Sequence, residues 1–217
     1  MRLMGDKSIP RWMALLFSIV SFTVLLTACG GGSTTSNPTP TPTTAAKASP
    51  TTPPTTTPPA TTGFVAYTAN AAFTMNYPQG WKVTTSGKSV VFADATGIYN
   101  LTIVVSPDPG GIASADTVVN TAIQGVKATM KNPQTVNVPP TANIGGDSWV
   151  QKSISGNSSS AGQAGVVQLV VASDNHPANS PTTNSFTVIY ATIQGLFSAA
   201  NTQYFQPMLQ SFKFTSK

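Results

Sequence analysis

Residues 99–133, YNLTIVVSPDPGGIASADTVVNTAIQGVKATMKNP, change their hydrophobic period part-way along. In the first eight, Tyr99, Leu101, Ile103 and Val105 alternate with smaller or polar residues, the period of a half-buried strand. SPDPGG (106–111) is a loop. Ser114 then stands as an N-cap, with Asp116 in the first turn. Val119, Ala122, Ile123, Val126 and Met130 recur at i, i+3, i+4, i+7 and i+11, which predicts one amphipathic helix over about 115–131, stopped by Asn132-Pro133. A strand that feeds a helix through a short loop places sheet and helix in one domain.

Working outward, the same period of two recurs. AFTMNY (72–77) alternates through Phe73, Met75 and Tyr77 and is broken by PQGW (78–81); KSVVFAD (88–94) is a further strand. On the C-terminal side DSWVQKSIS (147–155), AGVVQLVVAS (164–173) and SFTVIYATI (185–193) are three more. The tail SAANTQYFQPMLQSFKF (198–214) spaces Tyr204, Phe205, Met208, Leu209 and Phe212 as a helix. Pro207 inside it should kink it or begin its last turn, because proline lacks the N–H that the helix needs. The order strands, helix, strands, helix predicts an α+β fold, an antiparallel sheet flanked by helices.

The N-terminal quarter has a different character. Arg2, Lys7 and Arg11 precede WMALLFSIVSFTVLL (12–26), an uncharged apolar run of signal-peptide length and short for a membrane span. It ends in Leu26-Thr27-Ala28-Cys29, which resembles the bacterial lipobox. That resemblance implies removal of residues 1–28 and lipid attachment, palmitate included, at Cys29, the only cysteine in the chain. Two or three acyl chains anchor stably, since each buried CH₂ contributes about 0.8 kcal/mol. With Cys29 acylated, the exported domain has neither a free thiol nor a disulfide and relies on its core. Residues 29–62 follow as a linker: Gly30 to Gly32, then a stretch of 30 residues containing 13 Thr and 8 Pro. Such a segment buries too little apolar surface to offset its ordering entropy. Extended, it reaches on the order of 90 Å.

Residues 63–217 have the size of one domain. From Cys29 onward there are eight lysines, no arginine, five aspartates and no glutamate, a net charge of +3. The lysines are scattered and form no basic stripe, which excludes a nucleic-acid partner.

FTMNYPQGW (73–81), VVFAD (90–94), YNLTIVVSP (99–107) and the ending MLQSFKF (208–214) resemble the PsbP-like family. The resemblance covers about 65–214 in outline. It implies an α/β/α sandwich around an antiparallel sheet and a role like that of the extrinsic subunits of photosystem II, whose cyanobacterial members are lipoproteins. This chain departs from them in its low charge and in two polar loops, GNSSSAGQAG (156–165) and SDNHPANSPTTNS (173–185).

Sites of chemistry are few. His176 is the only histidine, and Asp174 two residues away provides half of a metal site that wants three or four ligands. The expectation is a residue in a solvated loop, with no metal and no cofactor bound. GGDSW (145–149) is similar to the start of one serine-hydrolase family, yet Ser148 opens a strand instead of a strand-to-helix turn, and SDNHP lacks the family's Asp-x-x-His. Trp81 and Trp149 are expected in the core, with Tyr77-Pro78 through Trp81 as a structural corner. DPGG (108–111) lacks the Gly-Lys-Ser/Thr of a phosphate loop. NLT (100–102) and NSS (157–159) match glycosylation sequons without further support. No catalytic residue is assigned, and the only site residue is Cys29. The functional expectation is a lipid-anchored, extracytoplasmic binding or assembly module on the cell membrane. It is a non-enzyme, and its partner is an envelope protein or membrane complex. The alternative is a lipoprotein that takes a small molecule or glycan between sheet and helix.

Overall fold

The computed structural model describes residues 63–158 and 165–215; the expected signal peptide, Cys29 and the expected linker lie outside them. An antiparallel sheet dominates, built from β3 (Lys82–Ser86), β4 (Ser89–Ala93), β5 (Asn100–Pro107), β10 (Asn184–Ile193), β9 (Gly165–His176), β8 (Asp147–Ser158) and β6 (Lys131–Val136) in that spatial order. A short β7 (Thr141–Ile144) also pairs with β8. A second sheet of three strands holds β1 (Phe64–Tyr67), β2 (Phe73–Pro78) and β11 (Lys213–Phe214).

Alternation along the strands sorts side chains onto two faces, and each face has its own cover. On one, α1 (Ala115–Lys127) sets Val119 and Ile123 against Ile154, Leu169, Val171 and Ala191. On the other, Leu101, Ile103, Val170, Val188 and Tyr190 meet the small sheet and a C-terminal helical segment. That segment runs through a 3-10 turn (Gln194–Leu196), α2 (Phe197–Ala200), a π-helical turn (Asn201–Phe205) and α3 (Gln206–Ser211). The fold is therefore α+β, with helices on both sides of an antiparallel sheet, as the period analysis predicts. Strand β10, covered on both faces, reads as a nearly continuous apolar run, whereas β5 keeps its alternation because α1 does not reach across it.

The helix begins where expected. The Ser114 hydroxyl accepts from the Thr117 amide at 3.2 Å. It ends at Lys127, four residues short of the expected stop. Asn132-Pro133 does not merely stop the helix; it lies inside the edge strand β6. An edge strand tolerates proline, whose missing N–H faces no neighbour. The ladder shifts register between Lys131 and Gln134, and Asn132 has φ +53°.

Pro207 enters the first turn of α3, and the π turn lies immediately before it. The wider turn is a physical answer to proline, whose ring crowds the carbonyl four residues back. The Gln206 amide donates to the Asn201 carbonyl, five residues earlier. Tyr204 and Phe205 both reach the core from this turn. The corner at Tyr77–Trp81 is also as expected, with the Trp81 amide on the Pro78 carbonyl at 3.2 Å and Gly80 at φ +88°.

Candidate functional site

The loop expected over 173–185 is much shorter than its composition suggests. Strand β9 continues through His176 and β10 resumes at Asn184. His176 is thus not a residue of a solvated loop; it stands at the end of a sheet strand. Spaced two apart on β9, Asp174 and His176 share one face. The β8–β9 ladder ends with Val150 opposite Ser173, and just beyond it the Asp147 side chain of β8 meets that of His176. Phe186 of β10 stands opposite Asp174. The sequence reading leaves Asp174 and His176 short of a third group, and the antiparallel pairing supplies Asp147 from GGDSW.

These three side chains converge. His176 Nδ1 lies 2.7 Å from Asp147 Oδ2. One candidate ligand atom from each of Asp147, Asp174 and His176 falls within 4.8 Å of the other two. The His176 ring stacks on Phe214 of β11, centroids 3.7 Å apart and planes 5° from parallel. That stacking fixes the imidazole plane and turns its nitrogen edge toward the carboxylates. The His176 side chain is 24% exposed and that of Asp147 41%, so the cluster opens to solvent on the Asp147 side. Asp174 lies deeper. Its Oδ2 is closed off from solvent and has no hydrogen-bond partner among the described residues. Burial pushes its carboxyl above the ordinary range, and the neighbouring Asp147 carboxylate pushes the same way; the Asn175 amide and His176 oppose them.

The other sequence candidates have structural places. Ser148 is exposed and points to the face opposite Asp147, so the histidine is held by the aspartate of GGDSW and not by its serine. Trp149 is fully buried between Phe186, Phe212 and Phe214. Trp81 packs on Tyr99 and Tyr204. In DPGG the Asp108 carboxylate accepts from the Ile112 and Ala113 amides. The turn therefore fills its own amide groups and leaves no phosphate cradle there.

The space between the sheet and the C-terminal helical segment is packed with rings. Tyr190 contacts Phe197 and Phe205, and Tyr99 contacts Tyr204 at 5.3 Å. Burial pushes the Tyr190 hydroxyl up to about 12. The Tyr99 hydroxyl is also raised, by burial first and then by Tyr204 and Asp94. Among the described residues no helix is long and apolar enough to cross a membrane.

No family model matches the chain, and no curated protein matches it. Solved structures that resemble it include LpqN, a protein involved in cell envelope biogenesis of Mycobacterium tuberculosis, at 12% identity and a TM-score of 0.46, covering 70% of this chain and 92% of LpqN. A point mutant of the protein Mog1 resembles it at 9% identity and a TM-score of 0.45, covering 71% of this chain and 97% of that one. A Bacteroides thetaiotaomicron protein does so at 11% identity and a TM-score of 0.40 over 67% of this chain; the match spans only 46% of the Bacteroides protein.

Proposed function

We propose that this chain is a PsbP-like lipoprotein, anchored through Cys29 on the extracytoplasmic face of the cell membrane, whose domain docks to an envelope protein or membrane complex and performs no catalysis. The lipobox-like Leu26-Thr27-Ala28-Cys29 and the Thr/Pro-rich linker support the anchored, spaced placement. The observation that carries the binding role is the packed interior. Tyr190, Phe197, Phe205, Trp81, Tyr99 and Tyr204 occupy the gap between sheet and helix in which a small molecule would otherwise sit. Recognition is thereby left to the outer surface. This also weighs against the alternative of a ligand held in that gap. The outward direction of Ser148 weighs against a hydrolase.

The test has two arms. Metabolic labelling with a palmitate analogue should mark the intact chain and not a Cys29→Ala version. Crosslinking in native membranes should then recover one stoichiometric envelope protein with the anchored form and little of it with Cys29→Ala. A labelled chain that captures nothing refutes the docking role, and an unlabelled chain refutes the anchor.

A further inference from the structure

Two carboxylates placed side by side need something positive between them. Asp147 has His176, whereas Asp174 Oδ2 is closed to solvent with no hydrogen-bond partner among the described residues, and a carboxylate oxygen of Asp174 lies within 4.8 Å of the ligand atoms of Asp147 and His176. An acceptor without a donor in such a place keeps its desolvation penalty uncompensated, the more so when it is charged. Two separate observations therefore meet at Asp174: its convergence with Asp147 and His176, and a carboxylate oxygen closed to water and without a partner among the described residues.

We propose that Asp147, Asp174 and His176 form a binding site for a divalent transition-metal ion of the zinc class, with water completing its shell from the open Asp147 side. The donor set is one imidazole and two carboxylates, and its charge of −2 with a neutral imidazole matches a divalent ion. Imidazole and carboxylate together suit zinc, whereas calcium wants six to eight oxygens and magnesium an octahedral shell of oxygen. Zinc holds nitrogen and oxygen at about 2.0–2.2 Å, so ligand atoms in a tetrahedral site stand roughly 3.3–3.5 Å apart. The three candidate atoms already lie within 4.8 Å of one another. His176 Nδ1 and Asp147 Oδ2, now 2.7 Å apart, need to separate only slightly. Asp147 is free to do this because it is the exposed member. The other two are held: Asp174 is paired with Phe186 of β10, and His176 lies flat on Phe214.

This site does not depend on the docking role, so its test stands apart from the membrane experiment. The full chain, purified in a phosphate-free non-ionic detergent and stripped with a chelator, is titrated with zinc by calorimetry. A Cys29→Ala version is carried alongside to remove any thiol. The expected result is one zinc per chain with a Kd of about 10 µM or tighter, a raised melting temperature, and no comparable response to calcium or magnesium. Cobalt in place of zinc should show the visible bands of an ion bound directly to protein ligands. Asp174→Asn and His176→Gln should each weaken binding at least about tenfold, and Asp147→Asn should weaken it too if either of those variants fails to fold. Absence of saturable uptake overturns the proposal. So does uptake that Asp174→Asn and His176→Gln leave unchanged. If zinc is not taken up and Asp174→Asn melts at or above the parent temperature, a shared proton accounts for the carboxylate pair and the metal site is refuted.

Discussion

Gly145 and Gly146 make the two-residue turn between β7 and β8, with φ of +64° and +94°. Alanine at either position pays the left-handed backbone strain of an L residue, about 1–2 kcal/mol. Their surroundings differ. A Cβ at Gly146 meets nothing within 4 Å, whereas at Gly145 it falls 2.9 Å from Phe212 Cδ1 and 3.2 Å from Phe214 Cε2. Phe212 is fully buried against Phe73, Trp149 and Phe186, so its ring has little room to retreat. Overpacking of this kind costs about 1–3 kcal/mol. Gly145→Ala should therefore destabilise by about 2–5 kcal/mol and Gly146→Ala by about 1–2. For a domain of this size the excess is roughly 2–12 °C in Tm. Urea unfolding followed by tryptophan fluorescence measures both, and Phe212→Leu in the Gly145→Ala background should recover part of the excess through coupling of neighbours. If the two alanine variants unfold within about 0.5 kcal/mol of each other, the steric reasoning is wrong and only the backbone matters.

Three further outcomes are expected. Ser114→Ala removes the cap on the Thr117 amide and should cost about 1 kcal/mol, measurable in the same urea titration. The pair of Lys152 with Asp116 at 3.1 Å joins side chains 42% and 59% exposed, so Lys152→Met should change stability by less than about 1 kcal/mol. Burial raises the Tyr190 hydroxyl to about 12; a folded pKa above the unfolded value of about 10 means stability is intact below pH 10 and lost as pH rises toward 12. Thermal scans of Tyr190→Phe should thus fall less steeply over that window than the parent, and identical slopes would show that this hydroxyl is not the titrating group.

Elements whose local pattern and tertiary surroundings agree are the ones legible in advance. Strand β5 alternates because one face is covered and the other is open, and α1 shows its stripe because it lies on one face of a sheet. Strands β3 and β6 carry no such signal. KVTTS is polar because it forms an edge, and KNPQTV looks like a helix stop because proline and a left-handed asparagine are tolerated at a bulged edge. The composition of 173–185 suggests a loop, yet pairing with β8 and β10 draws its polar ends into the ladder.

The sequence by itself determined the α+β class, the position of α1 and the buried tryptophans. Each follows from spacing along one element, where the backbone period decides which side chains share a face. The cluster was decided only by the tertiary structure, which carries β9 through Asp174 and His176 where the composition suggests a loop. Asp147 lies 29 residues before His176, and their meeting depends on the register between β8 and β9. A slip of one residue would turn Asp147 to the other face. The stacking of His176 on Phe214 is likewise a contact between two sheets. No local period encodes it, because it arises from the packing of the chain's last strand over the rim of the core.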